Sequence, residues 1–190
     1  MAGGEVSVAQ RKVGEGVEGD MGRGPESAVP EMVEAAFGVD GVVVCSELVG
    51  RLRDKDKAAV ERAARTLKKI AERDGVALFA WRKKLLHEAF QAVDVRVQWN
   101  LTIVLGKLPL KGADKALVVE LMFERLRDKS GLNRTMAMQG LMDLSEGDAA
   151  LRARVMPIVA EALEGGTPAM RARARKLIGL TAAQGKKGIR

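Results

Sequence analysis

The chain has no tyrosine, two tryptophans (Trp81 and Trp99), four phenylalanines, one cysteine and one histidine among its 190 residues. A β-sandwich or barrel draws its cross-strand packing from aromatic and β-branched side chains, so this supply is too thin for one. The lone Cys45 excludes an internal disulfide framework and a multi-cysteine zinc site. The lone His87 excludes a multi-histidine metal centre. No apolar run approaches the ~20 residues that span a bilayer. The opening residues, Met1 to Glu5, have neither the basic nor the apolar stretch of a secretory signal. These absences lead us to expect a cytoplasmic protein that does not use a membrane.

What is abundant is Ala, Leu, Arg, Lys, Glu and Met, the strong helix formers. With 47% apolar and 30% charged residues, the chain can bury a core without a metal or disulfide staple. The fold class expected is all-α.

Residues 1–29 are glycine-rich, almost without bulky apolar side chains, and carry three basic against five acidic residues. Such a segment cannot offset its ordering entropy, and disorder is expected there. A mis-called start is one expectation for this segment, with Met21 or Met32 the true beginning. The run Gly14-Glu15-Gly16-Val17-Glu18-Gly19 fits G-x-G-x-x-G. However, no strand precedes it, no apolar helix follows it, and its glutamates would repel a pyrophosphate.

From Pro30 onward, apolar periodicity and turn residues predict a short helix at 30–37 and longer ones near 41–53, 56–73, 77–91, 94–108, 113–129, 132–145, 148–164 and 168–183. Thr167 and Pro168 suit the N-cap and first position of the last helix. Residues 184–190 read as a basic flexible tail.

Self-comparison is the strongest signal. Leu52-Arg53-Asp54-Lys55 recurs as Leu126-Arg127-Asp128-Lys129. Equivalent first-helix ends fall at Leu52, Phe90, Leu126 and Leu163, and second-helix motifs begin at Ala59, Val97, Asn133 and Met170, both in steps of 38, 36 and 37. Within the second helices, Ala63, Leu101, Ala137 and Ala174 precede Leu67, Leu105, Leu141 and Ile178 by one turn, forming a buried stripe. Leu48, Leu86, Met122 and Val159 form the stripe of the first helices. Helix pairs of about 37 residues that cannot bury their faces alone should stack into a short α-solenoid of about four pairs over residues 30–183.

Here the residues resemble a family. Val97 to Leu108, Met170 to Gly179 and the Leu52 to Asp56 turn are similar to HEAT or HEAT-like repeats of the phycobilisome-lyase type. The resemblance covers roughly residues 41–183, although Lys68 and Met142 stand where the family prefers glycine. It implies a right-handed superhelix whose second helices line the concave face. The family is a scaffold shared by unrelated activities, so it does not name one.

Candidate chemistry is sparse. HEAT-repeat hydroxylases of the deoxyhypusine type hold two irons with His-Glu pairs from successive repeats. Here His87-Glu88 is matched by Val49-Gly50, Phe123-Glu124 and Ala160-Glu161, too few ligands for a di-iron site. No nucleophile has a local signature, and Cys45 reads as a small core residue. No cofactor, metal or catalytic set is expected, and the chain reads as non-enzymatic.

The charge is more informative. The chain carries a net +7. Arg62, Arg65 and Lys69 share one helix face, with Lys107, Arg173 and Lys176 at equivalent positions of other repeats. The third repeat interrupts this stripe with Met136, Gln139 and Asp143. The leading expectation is a protein or peptide partner bound on the concave face through these six residues. The alternatives are duplex nucleic acid in a basic groove, as in HEAT-like alkylpurine DNA glycosylases, and an accessory subunit of a lyase-type enzyme. Most methionines read as core fillers, with Met138 the one expected to face outward.

Overall fold

The computed structural model describes residues 28–187, with side chains from 29 to 179. Residues 1–27, which hold most of the glycine-rich segment and its G-x-G-x-x-G run, and residues 188–190 lie outside the described part. Nine α-helices and no strand are found among the described residues. They are α1 (Ala28–Ala36), α2 (Gly41–Gly50), α3 (Lys57–Arg73), α4 (Arg82–Gln91), α5 (Val95–Lys107), α6 (Gly112–Arg125), α7 (Gly131–Leu144), α8 (Ala149–Gly165) and α9 (Pro168–Lys187). Short 3₁₀ segments, Arg51–Arg53 and Gly75–Trp81, extend α2 and precede α4.

The pairs α2/α3, α4/α5, α6/α7 and α8/α9 are the four repeats, stacked as an all-α solenoid. Helices α3, α5, α7 and α9 pack side by side, whereas the backbones of neighbouring first helices stand farther apart and meet through long side chains such as Arg82 and Arg154. A stack that is tight on one side and splayed on the other curls toward the tight side, so the second helices form the concave layer. Helix α1 joins that layer against α3. There Arg73 meets Glu34 at 2.8 Å and lies over the Phe37 ring, covering the N-terminal end of the stack.

The repeated turn works through one recurring bond. The Asp56 amide donates to Asp54 Oδ1 at 3.0 Å, and the Ser130 amide donates to Asp128 Oδ1 at 2.7 Å. The next helix is then capped by the side chain of Asp56, Asp94, Ser130 or Thr167, each accepting from an amide of the first turn. The stripe residues Leu67, Leu101, Leu105, Leu141 and Met122 are fully buried, each contributing roughly 1.5–3 kcal/mol by leaving water.

Several sequence expectations need correction. Helix α1 begins at Ala28, with Pro30 in its first turn, where no amide partner is required. Residues 75–81 are 3₁₀ rather than α: Gly75 lies so close to α5 that a Cβ would meet the Lys107 carbonyl oxygen at 1.9 Å. The tighter i, i+3 spacing turns Leu78 and Trp81 to one side. Helix α9 continues to Lys187, so residues 184–187 of the expected tail are helical. Met138 is fully buried. Its equivalents Ala64 and Thr102 are buried as well, because this position faces the neighbouring second helix. Arg175, the fourth equivalent, is exposed because no further helix pair follows it among the described residues.

Candidate functional site

The concave layer brings the six basic residues onto one surface but not into one stripe. Arg62, Arg65 and Lys69 stand on α3, Lys107 ends α5, and Arg173 and Lys176 stand on α9. Between them, the positions equivalent to Arg62 and Arg65 are held by Asn100 and Ile103 on α5 and by Met136 and Gln139 on α7. Ile103 and Met136 are 7% and 8% exposed, so the middle of the face is closely packed, with these two apolar residues set beside the polar Asn100 and Gln139. Trp99, half-buried, extends it toward α3, where the Lys68 ammonium sits 5.2 Å from its ring centroid.

The basic groups are largely occupied by their own chain. Arg62 faces Asp56 at 3.7 Å, Arg65 faces Glu61 at 3.4 Å and Lys69 faces Glu72 at 3.4 Å. Arg96 of α5 shares Glu61 at 3.1 Å. Lys107 meets Asp143 at 3.0 Å, and Arg173 donates to the Gln139 amide oxygen at 3.1 Å. Gln139 in turn donates to Asp143 at 2.9 Å, giving a chain of contacts that joins α5, α7 and α9. Lys176 is exposed and enters no ion pair among the described residues. Burial pushes the Asp143 carboxyl above the usual carboxylate range, with Lys107 and Gln139 opposing the rise.

The acidic partners were readable in hindsight. Glu61 precedes Arg65 by four residues and Glu72 follows Lys69 by three, the spacings at which helical side chains meet. Lys107 and Asp143 occupy the same repeat position, and equivalent positions on adjacent second helices are lateral neighbours. Asp143 interrupts the basic stripe in sequence because it neutralises the stripe in space.

A buried polar clamp between the second and third repeats escaped the sequence reading. Arg125, 7% exposed, donates to the carbonyls of Ala89 and Gln98 and to the Thr102 hydroxyl. Asn133 Nδ2 donates to Gln98 Oε1 at 2.7 Å and to Asp128 Oδ2 at 3.0 Å. Burial draws the Arg125 guanidinium down to about 10, while Asp128 and Glu124 hold it up. The available signal was that Arg125 stands where the second and fourth repeats have Ala89 and Ala162, both buried.

Elsewhere, His87 is exposed on α4, while Glu88 turns inward to accept from Arg53 at 2.6 Å. Cys45 is 1% exposed, and burial pushes its thiol up. No group of three or more His, Cys, Asp or Glu residues able to hold a metal occurs among the described residues. No helix there is long and apolar enough to cross a membrane.

No family model and no curated protein matches the sequence. Among solved structures, the fold is similar to a chain from the complex of CpcE and CpcF of phycocyanin lyase from Nostoc sp. PCC7120. The TM-score is 0.53 and the identity 21%, covering 80% of this chain and 99% of that one.

Proposed function

We propose that this chain is a non-enzymatic interaction module whose concave face binds a protein or peptide partner. The partner would meet Trp99, Ile103 and Met136 at the centre, flanked by Arg62, Arg65, Lys69 and Lys107 on one side and by Arg173 and Lys176 on the other. One observation carries this reading: Arg62, Arg65, Lys69 and Lys107 are already ion-paired within the chain, and Asn100, Ile103, Met136, Gln139 and Asp143 interrupt the basic positions. Phosphate tracking requires cations free to replace condensed counterions along a continuous path. A face of mostly paired charges around Trp99, Ile103 and Met136 suits a protein surface instead, with aromatic and apolar anchors beside polar groups.

The test has two arms. Fluorescence anisotropy with a labelled mixed-sequence DNA duplex, at roughly 50 and 200 mM salt, should give no binding or only a shallow salt dependence. Pull-down at native salt should recover a stoichiometric protein, and Trp99→Ala should weaken its capture. Tight DNA binding that collapses with salt, and is abolished by reversing Arg65 and Lys176, would instead establish the duplex nucleic-acid reading.

The likeness to a chain of the CpcE–CpcF complex favours a second reading, an accessory subunit of a lyase-type enzyme. Co-purification with an absorbing ligand, or with a second helical-repeat subunit, would support it. A colourless protein that recovers only unrelated partners would count against it.

A further inference from the structure

The edge formed by the turns inside each repeat carries a groove at every junction between neighbouring repeats. The first and third are built from equivalent positions. At the first junction, Leu52, Arg53 and Val60 face Glu88 and Val97 of the next repeat. At the third, Leu126, Arg127 and Arg134 face Glu161 and Met170.

The grooves nevertheless differ in state. The first is bridged by the 2.6 Å bond from Arg53 to Glu88 and encloses about 290 Å³. The second, also about 290 Å³, has Arg125 in its lining, bonded across the junction. The third opens to about 500 Å³. Neither Arg127 nor Glu161 forms an ion pair among the described residues.

The turn explains the width. Gly165 and Gly166 stand where the first junction has Ala92 and Val93. Gly166 must be glycine, because a Cβ there would meet the Ala162 carbonyl oxygen at 2.4 Å.

The open groove has a defined chemistry. Phe123, Leu126, Ile158 and Met170 supply its apolar lining. Arg134 is held by one bond from Nη1 to the Asp128 carbonyl at 2.9 Å, which positions its guanidinium beside the groove. Arg154 stacks on the Phe123 ring at 4.6 Å, adding positive charge next to the lining. Against the two lining arginines stands one lining carboxylate, Glu161.

We propose that this third-junction groove binds an extended acidic peptide segment of another protein. One bulky apolar side chain of the segment would rest against Phe123 and Met170, and carboxylates beside it would meet Arg127 and Arg134. A volume of this size holds a few side chains, and the arginine fork matches a carboxylate in two-point contact. The groove lies on the turn edge rather than on the concave face, so the proposal stands apart from the function proposed above.

The test is selection of a random-peptide display library on the full chain, followed by anisotropy with the fluorescein-labelled winners. Enriched peptides should carry Asp or Glu beside Phe, Leu or Met. Arg127→Glu should weaken their binding at least about tenfold, as reversal of a paired interface charge does. Gly165→Trp should block it sterically, since a Cβ at Gly165 meets nothing within 4 Å and the fold should tolerate the change. The concave pair Arg65→Glu and Lys176→Glu should leave affinity within about twofold, as reversal of rim charges away from the contact does.

Enrichment of basic or charge-free peptides, or no enrichment, overturns the proposal. So does binding that survives Arg127→Glu and Gly165→Trp but fails in the concave variant. Concentration-dependent self-association abolished by Arg127→Glu would also overturn it, by making a second copy of the chain the occupant.

Discussion

Gly106 of α5 and Gly140 of α7 face one another so closely that a Cβ on Gly106 would lie 2.8 Å from the Gly140 Cα. The obstacle at Gly106 is backbone, whereas a Cβ on Gly140 would first meet the flexible end of Met122 at 2.6 Å. Gly106→Ala must therefore separate two helices, and we expect it to cost about 1–3 kcal/mol in urea unfolding, the usual range for overpacking. Gly140→Ala should cost less. Gly50 is the internal control: it has helical dihedrals and nothing within 4 Å of an added Cβ. Gly50→Ala should gain roughly 0.5–1 kcal/mol by restricting the unfolded chain.

Removing the clamp should be costly. Arg125→Ala leaves the Ala89 and Gln98 carbonyls and the Thr102 hydroxyl without their donor. The expected loss is about 3 kcal/mol. Arg125→Met, which keeps the stem and removes the charge, should recover part of it. An alanine variant as stable as the parent in chemical denaturation would show that the clamp contributes nothing.

Asp143 should leave a signature in the pH dependence of stability. Its folded pKa is raised, mainly by burial. The folded chain therefore keeps a proton that the unfolded chain has released. Stability from this group is highest below the unfolded carboxylate value and falls as pH rises through the folded one. Asp143→Asn should gain relative to the parent across that window, and the difference should level off above it. Asp128 and Asp148 run the other way: hydrogen bonds from Ser130 and Lys115, respectively, hold them low. Their contributions are present above the ordinary carboxylate value and are lost as pH falls through the folded one. Urea titrations of the single Asn variants between about pH 3 and 7 would separate the two signs.

Cys45 should report on global opening. Its 1% exposure and raised thiol pKa leave little accessible thiolate in the folded chain. A thiol reagent should label it slowly without denaturant and rapidly through the unfolding transition. Immediate stoichiometric labelling of the native protein would contradict its place in the core.

Local signals carried much of the architecture. The duplicated Leu52-Arg53-Asp54-Lys55 turn, the capping residues Asp56, Asp94, Ser130 and Thr167, and the step of about 37 residues define the helix pairs and their stacking. Each acts within one or two turns of helix, where bonding depends on neighbours in the chain. The same reasoning failed at residues 75–81, because close approach to α5 selects a 3₁₀ path that local propensity does not specify. It failed at Met138 because the equivalents Ala64, Thr102 and Arg175 mix two interior positions with one at the end of the stack.

The composition and the repeat were enough to establish helix pairs, an all-α solenoid and which residues share a helix face. Which charges remain available was decided only by stacking. Lys107 finds Asp143 on another helix, Arg53 finds Glu88 while Arg127 and Glu161 stay apart, and Arg125 disappears into a junction. Propensity and periodicity act along the chain. Ion pairing and groove width depend on distances between helices, and those are set by the size of the side chains packed between them.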